Sequence, residues 1–328
     1  MSRRLVIFAP NWLGDAVMAL PALGAVCATW PDATIDVAAR ASVAPLFATV
    51  PALRRVVTLG AGLRSAATIR QERYDTALLL TNSFHSARLA RAAAIPERWG
   101  YAADLRSWLL TRSIPRPSGV HQVDSYRALV EALGFSGGPA DPQIDVPFAR
   151  RAEGAALLKE AGWDGAVPLV AMAPGAAFGS AKRWPAASFA RLAERLPADG
   201  ARALLIGSPA DRAAGAEVLA ALVDRKTPID LIGRTDIPQL AGVLVHCRTL
   251  VTNDSGAMHL AAALGLDVTV MFGPTRQHET YPRGPGRHAF LTHQVWCRPC
   301  MLRECPLTHQ CMAGISVEAV HSAAMASR

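Results

Sequence analysis

The chain has 328 residues, half of them apolar and 18% charged, which allows two cores of ~150 residues each and excludes a disordered tail or a repeat array. Its net charge of +8 and pI near 9.6 suit an anionic small molecule or a lipid head group. The 34 basic residues are scattered and accompany no RNA- or DNA-binding signature, so nucleic acid is not an expected partner.

At the N-terminus, Arg3, Arg4 and the apolar residues after them imitate a secretory leader. Asn11, Trp12, Gly14 and Asp15 break that run, so Arg4 to Ala9 reads as a buried strand. No stretch approaches the ~20 apolar residues that span a bilayer. The expectation is a cytoplasmic protein, peripheral to the inner membrane.

Short β-rich runs at Leu5 to Ala9, Thr34 to Ala38, Arg55 to Leu59 and Thr76 to Leu80 alternate with helix-length segments. That alternation predicts a parallel sheet with crossover helices. The stretch from Phe135 to Pro147 is rich in Gly, Pro and Asp and marks a hinge, followed by a helix over Ala149 to Ala161. The scheme then repeats, with strands at Leu169 to Ala173, Ala203 to Ile206, Ile229 to Ile232, Thr249 to Thr252 and Val268 to Phe272. Phe189, Leu192, Ala193 and Leu196, spaced i, i+3, i+4, i+7, mark the helix after the first strand of that half. The fold class is therefore α/β, with two doubly wound domains over 1–150 and 151–328.

Ligands of open parallel sheets sit beyond the carboxyl ends of the strands, so the loops there carry the candidate chemistry. The first strand leads through Pro10, Asn11, Trp12, Leu13 and Gly14 to Asp15, in the first turn of a helix restarted at Pro21. Terminal amides would keep that carboxylate ionised; it reads equally as a helix cap or as a general base. After Leu169 to Ala173 come Pro174, Gly175, Ala176, Ala177, Phe178, Gly179, Ser180, Ala181, Lys182, Arg183 and Trp184. Small residues there let a phosphate approach main-chain amides, with Lys182 as point charge, although neither a Walker loop nor a dinucleotide fingerprint is present. The run Asn253, Asp254, Ser255, Gly256, Ala257, Met258, His259 places a second anion cradle before an Ala-rich helix, with Asp254 or Ser255 as its expected cap and His259 one turn in. No Asp-X-Asp pair occurs to hold a nucleotide sugar through a divalent metal, and no Gly-X-Ser-X-Gly or His-Glu-X-X-His motif supports a hydrolase.

Near the C-terminus Cys297, Cys300, Cys305 and Cys311 fall within fifteen residues. Such density in a reducing compartment points to a tetrathiolate metal, zinc or iron, with His293 or His309 as alternative ligands; free structural thiols and redox pairs stay open. Cys27 and Cys247, in helix-like apolar stretches, read as core.

Four segments in order, NWLGDAVMALPAL, LLLTNSFHSARLARAAAIPERWGY, PGAAFGSAKRWP and VTNDSGAMHLAAALG, resemble glycosyltransferase family 9, the ADP-heptose lipopolysaccharide heptosyltransferases. The resemblance implies a GT-B architecture of two Rossmann-like domains facing across a cleft, the N-terminal one for the acceptor and the C-terminal one for the nucleotide sugar. It implies an inverting transfer of L-glycero-D-manno-heptose from ADP-heptose to the lipopolysaccharide inner core, without a metal on the donor. Asp15 would be the base and Lys182 would neutralise the diphosphate. Gly14, Gly175, Ala176, Ala177, Phe178, Asp254, Ser255, Gly256 and His259 would complete the donor site, and Asn82, Ser83, Arg98 and His121 would touch the acceptor. Another acceptor, protein or glycan, or a non-catalytic nucleotide-sugar or metal-binding protein, remain the alternatives.

Overall fold

The computed structural model describes residues 3–62, 64–224 and 228–326. The chain forms two compact units, Met1–Pro142 and Gln143–Arg328, which meet inside the expected hinge stretch.

The first unit is built on six parallel strands: β1 (Arg4–Phe8), β2 (Thr34–Arg40), β3 (Arg55–Leu59), β4 (Thr76–Leu79), β5 (Glu97–Tyr101) and β6 (Arg112–Ile114), in spatial order β3-β2-β1-β4-β5-β6. β1 pairs with β2 from Arg4 opposite Thr34, and with β4 from Leu5 opposite Thr76. Leu5, Val6 and Ile7 are fully buried. A strand covered by helices on both faces must read as a continuous apolar run, as this one does. The segment after β1 forms two helices, Leu13–Met18 and Leu20–Thr29. The break falls where Pro21, lacking an amide proton, enters the first turn of the second.

The second unit holds β7 (Leu169–Ala173), β8 (Arg202–Leu205), β9 (Ile229–Asp230), β10 (Cys247–Asn253), β11 (Asp267–Phe272) and β12 (His288–Thr292), all parallel, in order β12-β11-β10-β7-β8-β9. This is the strand order of the first unit once each unit is counted from its own first strand. The helix Phe148–Glu160 precedes β7, and Ala186–Arg195 follows it. Phe189, Leu192, Ala193 and Leu196 are all fully buried against Val170 and Met172, which fixes that helix on the sheet. The C-terminal helix, Val317–Met325, packs Val320 and Ala324 into the same core.

Five of the nine expected strands are longer or shorter by one or more residues, and β5, β6 and β12 were not expected. ERWGY and RSI are polar on one face, and His288–Thr292 is half-buried apart from Phe290, which is exposed. Cys247 opens β10 rather than lying in a helix, while Cys27 does lie in the helix Leu20–Thr29.

At the amino end of the first sheet Asp36 is completely buried. Burial alone would push its carboxyl up. Hydrogen bonds from Arg54 and Tyr74, with the charges of Arg54 and Arg55, bring it below the ordinary range instead. Among the described residues no helix is long and apolar enough to cross a membrane.

Candidate active site

In each unit the chain winds outward in opposite directions from two central neighbours, β1 and β4 in the first, β7 and β10 in the second. The loops leaving such a pair diverge and leave a crevice at the carboxyl end of the sheet. The N-terminal motif and the Thr81–Ser83 turn flank the first crevice, and the Lys182 and Asp254 loops flank the second.

The first crevice contains a cavity of 250 Å³ lined by Pro10, Asn11, Trp12, Asp15, Leu80, Thr81, Asn82, Ser83, Arg116, Gln122 and Tyr126. Asp15 stands in the first turn of Leu13–Met18, where the helix dipole favours the carboxylate. Tyr126, 4% exposed, is held well above its ordinary pKa, first by burial and then by the negative charge of Asp15. It remains a neutral hydroxyl beside the carboxylate at any physiological pH. Arg116 donates to Gln122 Oε1 at 3.3 Å and brings positive charge to the rim. The Oγ1 of Thr81 and the Oδ1 of Asn82 are buried with no partner among the described residues, and buried polar atoms of that kind call for a ligand or water. Ser83 also caps the helix Phe84–Ala92, accepting the Ser86 amide at 3.3 Å.

Beneath this turn lies Arg106, fully buried. Its guanidinium donates to the carbonyls of Thr81 (2.6 Å), Tyr101 (3.1 Å) and Ser83 (3.3 Å). Burial lowers its pKa to about 10, against the small opposing effect of Asp104. A Cβ on Gly100 would come within 3.1 Å of this guanidinium and 3.2 Å of Leu79, which is why the residue before Tyr101 is glycine.

Two expected acceptor residues are not part of this cavity lining. Arg98 sits near the amino end of β5, where its Nε and Nη1 donate to the carbonyls of Leu109, Ile95 and Pro96. His121 caps the helix Gln122–Ala132, its Nδ1 accepting the Val123 amide at 3.2 Å. It positions Gln122 and Tyr126, one turn apart on one face.

In the second crevice Lys182 Nζ lies 2.6 Å from Asp254 Oδ2, the two side chains being 12% and 7% exposed. Thr275 Oγ1 donates to the same oxygen at 2.7 Å. Asn253 ties the loops together, accepting the Trp184 amide at 2.9 Å and donating to the carbonyls of Pro174 and Gly175. The expected cap is therefore corrected. Asp254 is committed to Lys182 and Thr275, and the Ser255 hydroxyl faces Thr252 at 3.0 Å, so no side chain caps Gly256–Ala263. That leaves the amide end of the helix for an anion, beside the lysine. Gly175 is required by space, since a Cβ there would overlap the Asp211 carboxylate. Ala176 is buried, Ala177 exposed and Phe178 half-buried, with Lys182 Nζ 4.7 Å from its ring centroid. His259 is 5% exposed within the helix.

The cysteine segment buttresses this site. The Arg303 carbonyl accepts the Ala181 amide at 3.0 Å, and a Cβ on Gly179 would collide with that carbonyl. Arg298 Nε donates to Gly273 O at 2.7 Å, and the Met301 amide to Pro274 O at 2.9 Å, fixing the turn that carries Thr275. Cys297, Cys300, Cys305 and Cys311 line one small cavity of 20 Å³ with Ala181, Pro274 and Arg298. All six cysteines of the chain are free thiols. Burial, then the neighbouring thiols, push Cys311 up. Among the described residues no group of three or more His, Cys, Asp or Glu is arranged to hold a metal ion, so the expectation of zinc or iron finds no support in this geometry. His309 instead lines a 440 Å³ cavity with Arg183 and Ser180, and His293 packs where a Cβ of Gly314 would stand.

Sequence reasoning missed Tyr126, Gln122, Arg116, Thr81, Thr275 and Arg106. Thr81 adjoins the expected Asn82 and Ser83, and Gln122 and Tyr126 share one helix, but Arg106, Arg116 and Thr275 come from loops distant in sequence, and only the fold shows the convergence.

The family model of glycosyltransferase family 9 (heptosyltransferase) matches residues 63–310. Lipopolysaccharide heptosyltransferase 2 of Salmonella typhimurium is 32% identical over 299 residues, covering 85% of each chain. Lipooligosaccharide heptosyltransferase 2 of Campylobacter jejuni is 26% identical, covering 97% of this chain and 96% of its own. The structure of Escherichia coli ADP-heptose lipopolysaccharide heptosyltransferase II superposes with a TM-score of 0.86 at 29% identity, covering 98% of both chains. The α/β fold is thus GT-B-like, and the chain belongs to glycosyltransferase family 9, the heptosyltransferases.

Proposed function

We propose that this chain transfers L-glycero-D-manno-heptose from ADP-heptose to the inner core of lipopolysaccharide, with inversion at the anomeric carbon. The observation that carries this is the pair of crevices at equivalent places in the two sheets, one with a helix-terminal carboxylate, Asp15, the other with a lysine, Lys182, beside an uncapped helix end. The first suits the acceptor and the second the nucleotide sugar. The relatives named for this activity support the choice of donor and acceptor.

In this reading an acceptor hydroxyl lies against Asp15, oriented by Asn82, Thr81, Ser83 and Arg116. Its oxygen attacks the anomeric carbon from the face opposite ADP as Asp15 removes the proton, and the bond to the diphosphate breaks. A positioned base contributes typically 10² to 10⁴-fold. Lys182 and the amides at Gly256 take up the charge that develops on the departing diphosphate, with Gly175, Ala176, Ala177 and Phe178 shaping the approach and His259 supporting the helix from within. Such preorganised charge is worth a few kcal/mol of barrier. The sequence has no Asp-X-Asp pair to place a divalent cation there; Lys182 supplies that charge. The protein acts at the cytoplasmic membrane face, where a basic surface suits a phosphorylated, lipid-anchored acceptor.

The test is product analysis. Incubation with ADP-heptose and a heptose-deficient core acceptor is expected to add one heptose with inverted anomeric configuration and to release ADP. Retention of configuration, or transfer only to a non-lipopolysaccharide acceptor, overturns the reading.

A further inference from the structure

The loop between β5 and β6 carries its apolar side chains outward. Leu105 is 91% exposed and Trp108 66% exposed. Asp104 and Leu105 both adopt left-handed backbone, at φ 49° and 53°. Non-glycine residues rarely take that conformation, and two in succession persist only when the surroundings enforce them. Here the enforcement is visible. Arg106, buried between them and Trp108, grips Thr81 O and Tyr101 O, and the Asp104 carboxylate accepts the Phe84 amide at 2.7 Å. The fold thus holds a leucine and a tryptophan in water on a rigid loop.

The charge around them has one sign. Phe84, Arg88 and Arg91 follow one face of the helix Phe84–Ala92 at i, i+4 and i+7. Phe84 meets the Trp108 ring at 6.2 Å and the Arg91 guanidinium lies 5.4 Å over it. The helix segment FHSARLARA has no acidic residue, and in the segment from Ala102 to Thr111 the only one, Asp104, is spent on the helix amide. The same helix starts at Ser83, on the wall of the Asp15 cavity.

We infer that Leu105 and Trp108, flanked by Arg88 and Arg91, form a docking surface for an anionic lipid bilayer. An aromatic and an aliphatic side chain ringed by arginines match the head-group boundary, where the apolar tips enter and the guanidinium groups stay among phosphates. This inference deepens the acceptor side of the proposed function and rests on it: the surface would hold the membrane next to the cavity that takes a lipid-anchored sugar.

Co-sedimentation of the full chain with vesicles tests it. Wild type is expected to sediment with an equal mixture of phosphatidylcholine and phosphatidylglycerol, less so at high salt, and poorly with phosphatidylcholine alone. Leu105→Ser with Trp108→Ser should lower the partition coefficient at least about tenfold, and Arg88→Ser with Arg91→Ser should remove most of the preference for the anionic lipid. All four side chains are outside the core, so melting temperatures should match wild type. Unchanged sedimentation of the Leu105/Trp108 variant overturns the inference, as do equal binding to neutral vesicles and failure of wild type to sediment. Transfer to a delipidated core oligosaccharide should be the same in wild type and variant; if neither transfers, the proposed function fails while the vesicle result is read independently.

Discussion

Replacing Asp254 by Asn removes a carboxylate that sits 2.6 Å from Lys182 Nζ and accepts the Thr275 hydroxyl at 2.7 Å. The lysine side chain is only 12% exposed, so the variant strands an ammonium with little water to receive it. Breaking a buried pair from one side costs about 3 kcal/mol or more, which for a unit of this size lowers the melting temperature by roughly 6 to 12 °C. Lys182→Met removes the charge that the proposed function directs at the diphosphate. One charge-assisted bond is worth about 2 kcal/mol, or roughly thirtyfold in Kd for ADP. Combining the two substitutions separates structure from function, because the double variant has neither charge to strand. Its melting temperature should recover a substantial part of the Asp254→Asn loss, with a coupling energy of about 2 kcal/mol. Its ADP affinity should stay as poor as that of Lys182→Met alone. Differential scanning fluorimetry and titration calorimetry measure both. Asp254→Asn melting within about 2 °C of wild type would refute the cost assigned to the broken pair, and a double variant that recovers ADP binding would refute the assignment of Lys182 to the donor.

Arg106→Met is expected to raise the KM for acceptor about tenfold while the Kd for ADP stays unchanged, since the guanidinium holds the carbonyls of Thr81 and Ser83 in the first unit; steady-state kinetics against each substrate decide. Stability should fall at both ends of the pH scale. The Asp36 carboxyl titrates below its unfolded value, so its contribution is present above about pH 4 and is lost as pH falls through the folded pKa. Burial, then the Asp36 carboxylate, raise Tyr74 to about 12, so its contribution is complete below about pH 10 and is lost as pH rises toward 12. Denaturant titrations across pH should show a smaller alkaline loss in Tyr74→Phe than in wild type, the remainder belonging to Tyr101 and Tyr126, whose hydroxyls burial also raises. Because the cysteine segment braces the loops of the second crevice through main-chain bonds at Ala181 and Met301 and through the Arg298 side chain, passage through a chelator is expected to leave melting temperature and ADP affinity unchanged. A large drop, restored by zinc or iron, would return the thiols to a ligand role.

The central strands were legible because they are buried on both faces: RLVIF and LVAMA read as short apolar runs bounded by Pro10 and Pro174, with little else they could form. The edge strands β6 and β12 were not, because exposure frees their side chains from any pattern. That Asp15, Lys182 and Asp254 lie beyond the carboxyl ends of strands was legible from the sequence. The partner that Asp254 chooses was not. A cap and an ion pair ask for the same residue type, and only the approach of Lys182 from seventy-two positions away decides between them. Arg98 and Arg106 show the converse. Both are arginines of one short segment, yet the one singled out from sequence lies at the amino end of its strand, and the one passed over supports the cavity wall.

The measurement that bears most directly on the account is heptose transfer by Asp15→Asn beside wild type, with ADP affinity determined on the same samples. Asn keeps the size of the side chain and removes its basicity, so a fall in kcat of about 10³-fold, near 4 kcal/mol of barrier, with unchanged ADP binding and melting temperature, is predicted. Retention of more than about a tenth of wild-type kcat would contradict the assignment of Asp15 as the base.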